Sequence, residues 1–187
     1  MTIRTLALAG LIVLAAMTRL LPHPPNFAPI TAMAVFGAIR YGNRRTAVIA
    51  PLLALLISDL IREVLYRQGL APQWGLYRGM WVVYGTTALI VLMGRLARGT
   101  RSPTTIAATT LAGSCVFFVV TNFAVWAGGS LYPHTSEGLS MCYVAAIPFF
   151  RNALLGDFTY AVVLFGVWAL AEVRFKVLRS APMPATP

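Results

Sequence analysis

Acidic and basic side chains interrupt the apolar stretches of this chain at a few places, and the clearest is around Asp59. Asp59 and Arg62 lie three residues apart near the predicted end of an apolar helix, and Glu63 follows one turn after Asp59. Residues spaced in this way share a helix face. A carboxylate in an apolar segment is costly unless it is paired, so it is a candidate for function. Two interpretations stay open: Asp59 contacts a ligand, or it pairs with Arg62 or Arg78 and anchors the helix.

A second candidate is the proline-rich segment of residues 19–29, which holds four prolines. Proline fixes φ and removes a backbone donor, so the segment is expected to be extended and stiff. It is either a helix-breaking loop or a preorganised loop that presents His23, Asn26 and Phe27 to a ligand. His23 and His134 are candidate ligands of a metal-centred substrate, although a lone loop histidine is more often simply solvated.

Further candidates lie in the C-terminal half of the chain. Asn122 needs a partner in its apolar setting, whereas Trp126 fits either a pocket or an interfacial aromatic belt. Arg151 and Asp157 either pair with each other or contact a ligand. No Ser/His/Asp set, phosphate-cradling glycine loop, HExxH motif or metal-site spacing is present, so no catalytic residue, metal or cofactor is predicted. The predicted substrate-binding residues are His23, Asn26, Phe27, Asp59, Arg78, Trp81, Tyr84, Asn122, Trp126, Tyr143, Phe150, Arg151, Asn152 and Asp157.

The composition predicts that these residues are held by membrane-spanning helices. The chain has 187 residues, of which 58% are hydrophobic and 11% are charged, and its mean hydropathy is +0.75. An ordinary soluble domain has about 25% charged residues. We therefore expect an all-α, polytopic bundle of six transmembrane helices, in which the second helix is short and needs shelter from protein. The predicted helices are residues 5–21, 29–39, 45–61, 80–96, 105–126 and 153–175.

The distribution of charge predicts the topology. The segments on one side of the predicted bundle hold ten basic residues and one acid, and those on the other side hold five basic residues and four acids. The positive-inside rule then places both termini in the cytoplasm. The basic residues lie between apolar runs, which argues against nucleic-acid binding. The N-terminal apolar run is interpreted as helix 1 rather than as a cleaved signal peptide.

The outer side carries the longer connections. Residues 127–152 form a predicted 26-residue connection that contains a 12-residue apolar piece, residues 139–150. This piece is too short to span, so it is expected to be a surface helix, a re-entrant helix or a lid. We expect one domain over residues 1–179 and a disordered tail over residues 180–187.

Residues 24–37, PPNFAPITAMAVFG, resemble the beginning of the DUF6580 family of bacterial membrane proteins, for which transport is the expected role. The resemblance continues through the motifs SD (58–59), TNFAVW (121–126), YP (132–133), GL (138–139), CY (142–143), AIPFF (146–150) and GD (156–157). The size and layout are similar to those of the S-components of energy-coupling-factor vitamin importers. That similarity implies capture of a vitamin or a metal ion from outside.

Among S-components, the solitary type that binds vitamin B12 is most similar in size and polar layout. It implies ligand contacts by His23, Asp59 and Arg151, but residues 73–79 lack the cysteine that ligates cobalt in some members. S-components that dock on an ATP-driven module carry small residues four apart on helix 1, and here only the pair Thr5 and Ala9 fits. An ATP-driven energising module is therefore a possible partner, although helix 1 lacks the usual docking motif.

Three functional hypotheses follow. The first is membrane transport, with capture of a vitamin-like solute, cobalamin among the candidates, at a site that opens outward. The second is an intramembrane enzyme that uses Asp59, Asp157 or His23 as general base on a lipid-linked or small substrate. The third is an accessory subunit of a larger membrane complex.

Overall fold

The computed structural model describes residues 2–179 and shows an all-α protein. This part of the chain contains no strand, and it forms six α-helices joined by short connections. The tail that the sequence predicts to be disordered lies outside the described residues. The helices are α1 (Ile3–Met17), α2 (Ile30–Arg40), α3 (Arg44–Arg67), α4 (Met80–Gly94), α5 (Pro103–Gly128) and α6 (Ser136–Arg174).

Four segments are long and apolar enough to cross a membrane, judged by length and composition. They are Ile3–Leu20, Met80–Ala97, Pro103–Gly128 and Ser136–Arg174. The 24-residue α3 has sufficient length but carries charged residues near both of its ends. These features are those of a helical membrane protein.

The short helix α2 is the centre of the bundle. It contacts all five other helices, and every residue from Thr31 to Ile39 is buried. Its Phe36 ring packs edge-on against Phe165 at 5.1 Å. A helix that is apolar on all sides must be enclosed by protein or lipid. Here the other helices enclose α2, as its short length predicted. The eleven residues of α2 rise only about 16 Å, roughly half the thickness of a bilayer core. The bundle therefore has space between the longer helices beyond the N-terminus of α2.

Helix α3 extends beyond its predicted end at residue 61. The charges that suggested an end stabilise another turn and a half, because Glu63 and Arg67 form an i,i+4 ion pair at 2.8 Å. Gly69, with φ +73°, follows the last turn and stops the helix in the left-handed conformation. Asp59 therefore lies inside a helix rather than at its end.

The prediction of a long outer connection before helix 6, over residues 127–152, is wrong. Only residues 129–135 separate α5 from α6, and the apolar piece 139–150 forms the first third of a 39-residue helix. Thr135 caps this helix by accepting a hydrogen bond from the Gly138 backbone N–H at 3.2 Å. Pro148 lies inside the helix without ending it, which is common in membrane helices because neighbouring groups satisfy the freed carbonyl.

The predicted basic side is a single end of the bundle. Arg4 donates hydrogen bonds to the carbonyls of Arg40 and Leu178, at 2.9 and 3.1 Å. Arg95 reaches the carbonyl of Gly42 at 2.9 Å, and Arg101 pairs with Glu172. The first and last described helical segments thus meet at the same end of the molecule. The assignment of that end to the cytoplasm stays a prediction.

Candidate functional site

A cavity of about 890 Å³ lies beyond the N-terminus of α2, at the end of the bundle opposite to the basic end. We call it the outer cavity. Its volume is within the range of small-molecule sites. Its walls come from the segment after α1, the connection between α3 and α4, and the facing sides of α5 and α6. Its polar lining residues are Arg19, His23, Asn26, Thr31, Arg62, Gln73, Tyr77, Ser114, Thr121, Asn122 and Asp157, and its aromatic ones are Trp74, Phe117, Phe118, Phe149 and Phe150.

The proline-rich loop forms one wall and is fixed to α6. Asn152 donates a hydrogen bond from Nδ2 to the Pro25 carbonyl oxygen at 3.0 Å. Asn26 adopts φ +63°, a left-handed conformation that asparagine tolerates better than most residues. At Gly156 the loop approaches so closely that an added Cβ would lie 3.0 Å from the Ala28 nitrogen. Phe27 packs against Tyr160 with 6.0 Å between the ring centroids.

A buried ion pair lies at the edge of the cavity. Arg19 Nη2 is 2.8 Å from Asp59 Oδ1, and the two side chains are only 5% and 1% exposed. The Arg19 guanidinium also donates to the Ser58 hydroxyl, and the Tyr84 hydroxyl donates to Asp59 Oδ2 at 2.9 Å. Neither the predicted Asp59–Arg62 pair nor the predicted Asp59–Arg78 pair forms. The Asp59 carboxylate pairs instead with Arg19, which lies on the turn that follows α1.

Two further residues complete the polar edge. Arg62 donates to the backbone carbonyl oxygen of Arg19, and it forms no salt bridge with a carboxylate among the described residues. Tyr77, in the connection between α3 and α4, has its pKa raised mainly by burial and also by the charge of Asp59. Its hydroxyl therefore stays protonated and available as a donor at neutral pH.

The floor of the cavity contains a second buried carboxylate, Asp157. Ser114 donates to Asp157 Oδ2 at 2.7 Å, and the Ala32 backbone N–H lies 3.4 Å from Oδ1. Pro29, at the start of α2, provides no side-chain cap. Asp157 on α6 thus takes that role, where a negative charge also interacts favourably with the helix dipole. The predicted Arg151–Asp157 pair does not form, since Arg151 is exposed on the surface of the bundle.

The wall that α5 and α6 form is aromatic with one embedded amide. Phe118 and Phe150 stack with centroids 4.5 Å apart. Asn122 donates from Nδ2 to the Phe118 carbonyl oxygen at 2.8 Å, which satisfies one of its two donors within α5. The other N–H and the side-chain carbonyl are available at the wall. Cys142 packs behind this wall, with its sulfur 3.5 Å from the Asn122 backbone oxygen.

The connection between α3 and α4 closes the cavity on the remaining side. Glu63 Oε2 accepts hydrogen bonds from the backbone N–H groups of Gly75 and Leu76, at 3.1 and 3.2 Å. Gly75 lies so close to α3 that a Cβ there would come within 1.8 Å of the Asp59 carbonyl oxygen. Only glycine fits at this distance. The close approach positions Trp74 and Tyr77 at the cavity.

The structure places the sequence-predicted residues in three groups. Five line the outer cavity: His23, Asn26, Asn122, Phe150 and Asp157. Four support it from behind, namely Phe27, Asp59, Tyr84 and Asn152. The others lie outside its lining: Arg78, Trp81, Trp126, Tyr143 and Arg151.

The residues outside the lining have structural surroundings of their own. Trp81 is 75% exposed on the surface of the bundle. Trp126 donates to the Pro133 carbonyl oxygen at 2.9 Å and packs against His134. Tyr143 donates to the Val119 carbonyl oxygen at 2.7 Å.

Several lining residues were not predicted from the sequence. Arg19 was interpreted only as one of the charges that predict topology, and Arg62 only as a residue that anchors a helix end. Ser114 lies within an apolar run, where a small polar residue is common. Trp74 had one usable signal, a large aromatic residue in a glycine- and proline-containing connection. Within residues 2–179, no three His, Cys, Asp or Glu side chains converge as a metal site would require.

Comparison with known proteins gives a match to a family model. No curated protein and no solved structure matches the chain. One family model, described as a family of unknown function (DUF6580), matches residues 1–180. The match covers the six helices and every residue of the outer cavity, and the chain therefore belongs to the DUF6580 family.

Proposed function

We propose that this protein captures a small organic solute in the outer cavity and carries it into the membrane-embedded bundle as a step of transport. The observation that supports the proposal is the cavity itself. It combines about 890 Å³ of space with a mainly apolar lining and a few convergent polar groups. Binding sites for small molecules have this composition. Its walls are tied together by buried contacts, and a preorganised site loses less entropy on binding.

The lining suggests the chemistry of the solute. Of the two arginines that line the cavity, Arg62 has no carboxylate partner among the described residues, so it would bind a carboxylate, phosphate or amide oxygen. Asn122, on the α5 wall, would bind a second polar group. Phe149 and Phe150 would pack against an apolar face of the ligand. The expected ligand is thus a vitamin-like molecule with an apolar body and at least one acceptor group.

Cobalamin is the first ligand to test. His23 lines the cavity, and its Nδ1 lies 2.9 Å from the Pro24 carbonyl oxygen. A metal-ligating histidine commonly uses one ring nitrogen in this way, which orients the other toward the metal. Here Nε2 of His23 would be the nitrogen offered to a metal-centred substrate.

Release toward the basic end would require movement of the cavity floor. The start of α2 closes the cavity from below, and Asp157 holds it through Ala32 and Ser114. A ligand drives such a change only if it binds the two states with different affinity. The α1 pair that fits the docking pattern, Thr5 and Ala9, is only partly exposed, and the proposal requires no ATP-driven partner.

Native mass spectrometry of the detergent-purified protein against a vitamin panel that includes cobalamin tests the proposal. We expect a one-to-one adduct whose occupancy falls in Asn122→Leu and in Arg62→Gln. Loss of a hydrogen bond to a charged group costs about 1.5–3 kcal/mol, or about ten- to a hundredfold in affinity. Arg151→Gln is the matched control, because Arg151 is exposed and does not line the cavity. Absence of any adduct, or equal loss in the control, would overturn the proposal.

A further inference from the structure

A second concave site lies at the opposite, basic end of the bundle. It is a groove of about 620 Å³ along the outside of α5 and α6. We call it the basic-end groove. It shares no lining residue with the outer cavity, so it is independent of the proposed function. Its lining residues are Arg40, Arg101, Pro103, Ile106, Ala107, Phe158, Ala161, Val162, Phe165, Gly166, Ala169, Glu172, Val173 and Arg179.

The groove is long, mainly apolar and open at the surface of the bundle. Its α6 side runs from Phe158 to Val173, which is about 22 Å at the helical rise. One leaflet of a bilayer has roughly 15 Å of hydrocarbon. Gly166 and Ala169 are both exposed, and an added Cβ at Gly166 would have nothing within 4 Å. The small residues leave room along the helix for an extended hydrocarbon chain.

Three arginines lie where the groove meets the basic end. Arg40, Arg101 and Arg179 line the groove together with one acid, Glu172, and Arg179 Nε donates to the Glu172 backbone carbonyl oxygen at 2.8 Å. The Arg40 guanidinium lies 4.9 Å from the centroid of the Phe165 ring. Arg40 Nη1 donates to the Thr100 carbonyl oxygen at 2.7 Å, whereas its buried Nε has no acceptor within residues 2–179. Arg101 is paired with Glu172 at 3.2 Å but is 71% exposed.

We infer that the basic-end groove binds an anionic phospholipid, with its phosphate among Arg40, Arg101 and Arg179 and one acyl chain along α6. An aliphatic chain fits the apolar length of the groove, and an anion fits the excess of arginine at its end. Arginine is well suited to phosphate because its planar fork can donate two hydrogen bonds at once. A basic pocket beside membrane helices is a recurring form of anionic-lipid site.

Native mass spectrometry of delipidated protein titrated with phosphatidylglycerol or phosphatidylcholine of identical acyl chains tests the inference. We expect phosphatidylglycerol to bind at least about tenfold more tightly, because the net charge of the headgroup favours the arginine cluster. Gly166→Phe should block the groove and remove this preference. Gly10→Phe is the matched control, since Gly10 is also an exposed helical glycine with nothing within 4 Å of an added Cβ.

A pair of charge variants separates the groove from general surface charge. Arg101→Gln should weaken phosphatidylglycerol binding by about tenfold. Arg45→Gln, which removes an exposed arginine at the same end outside the groove, should not. Equal binding of both lipids, equal effects of the paired variants, or full competition by inorganic phosphate alone would each overturn the inference. The last result would indicate an anion site that makes no use of the apolar groove.

Discussion

Replacing Asp59 by asparagine removes the carboxylate that neutralises Arg19 inside the bundle. The Arg19 side chain is only 5% exposed, so water cannot take over from the lost partner. Breaking a buried ion pair at one partner costs about 3–5 kcal/mol. The amide oxygen of asparagine can still accept from Tyr84, which places the expected cost near the lower limit, at about 3 kcal/mol. For a chain of this length that corresponds to a decrease of about 6–12 °C in the melting temperature.

Thermal unfolding in detergent, followed by intrinsic tryptophan fluorescence, measures this decrease. Glu137→Gln is the control, because Glu137 is an exposed acid in the first turn of α6 and its loss should cost less than about 1 kcal/mol. Adding Arg19→Met to Asp59→Asn removes the unpaired charge and should recover at least half of the lost stability. A melting temperature for Asp59→Asn within about 2 °C of the control would refute the reasoning, because the pair would then be solvated.

Three other predictions concern the parts that position the cavity. Asp157→Ala should lower the free energy of unfolding by about 1–3 kcal/mol in a thermal melt, because it leaves the start of α2 without its acceptor and the buried Ser114 hydroxyl with only the Thr110 carbonyl oxygen; no change would mean that the floor is hydrated. Gly75→Ala should make the connection between α3 and α4 sensitive to limited proteolysis, whereas Gly79→Ala should not, since only the first Cβ would meet backbone atoms; equal cleavage rates would contradict the close approach. Asn152→Ala should increase proteolysis of the proline-rich loop with little change in melting temperature, and an unchanged rate would show that the hydrogen bond does not hold the loop.

The central architecture follows from local sequence features. The apolar run of α2 is too short to span, and that alone required shelter by the other helices, which the structure provides. The difference between the strongly basic connections and those of mixed charge likewise predicted which chain segments meet at each end of the bundle. Both inferences depend on composition and length, which the sequence displays directly.

The errors arose where a local signal had two readings. Residue 152 was predicted to be the last of a long connection, yet α6 begins at Ser136 and runs through this position. Arg62 and Glu63 were read as the end of α3, although the Glu63–Arg67 pair prolongs it. In each case the position of the helix end depends on which neighbouring groups form hydrogen bonds with the backbone or pair with the charged side chains.

The pairing of Asp59 could not be derived from spacing. Its partner Arg19 is forty residues earlier in the chain, and the predicted outer side holds five arginines in all. Only the packing of α1 against α3 selects one of them. The same limit applies to Ser114 and Asp157, whose contact depends on the rotation of α5 against α6.

The central claim is that the outer cavity holds the ligand, and a pair of cavity-filling variants tests it most directly. Ala153 and Ala145 both lie on α6, but only Ala153 lines the cavity, whereas Ala145 is exposed on the surface of the bundle. Native mass spectrometry against the vitamin panel should show an adduct for the unmodified protein and for Ala145→Trp, and none for Ala153→Trp. An adduct that survives in Ala153→Trp at undiminished occupancy would contradict the claim, as would the absence of any adduct in the unmodified protein.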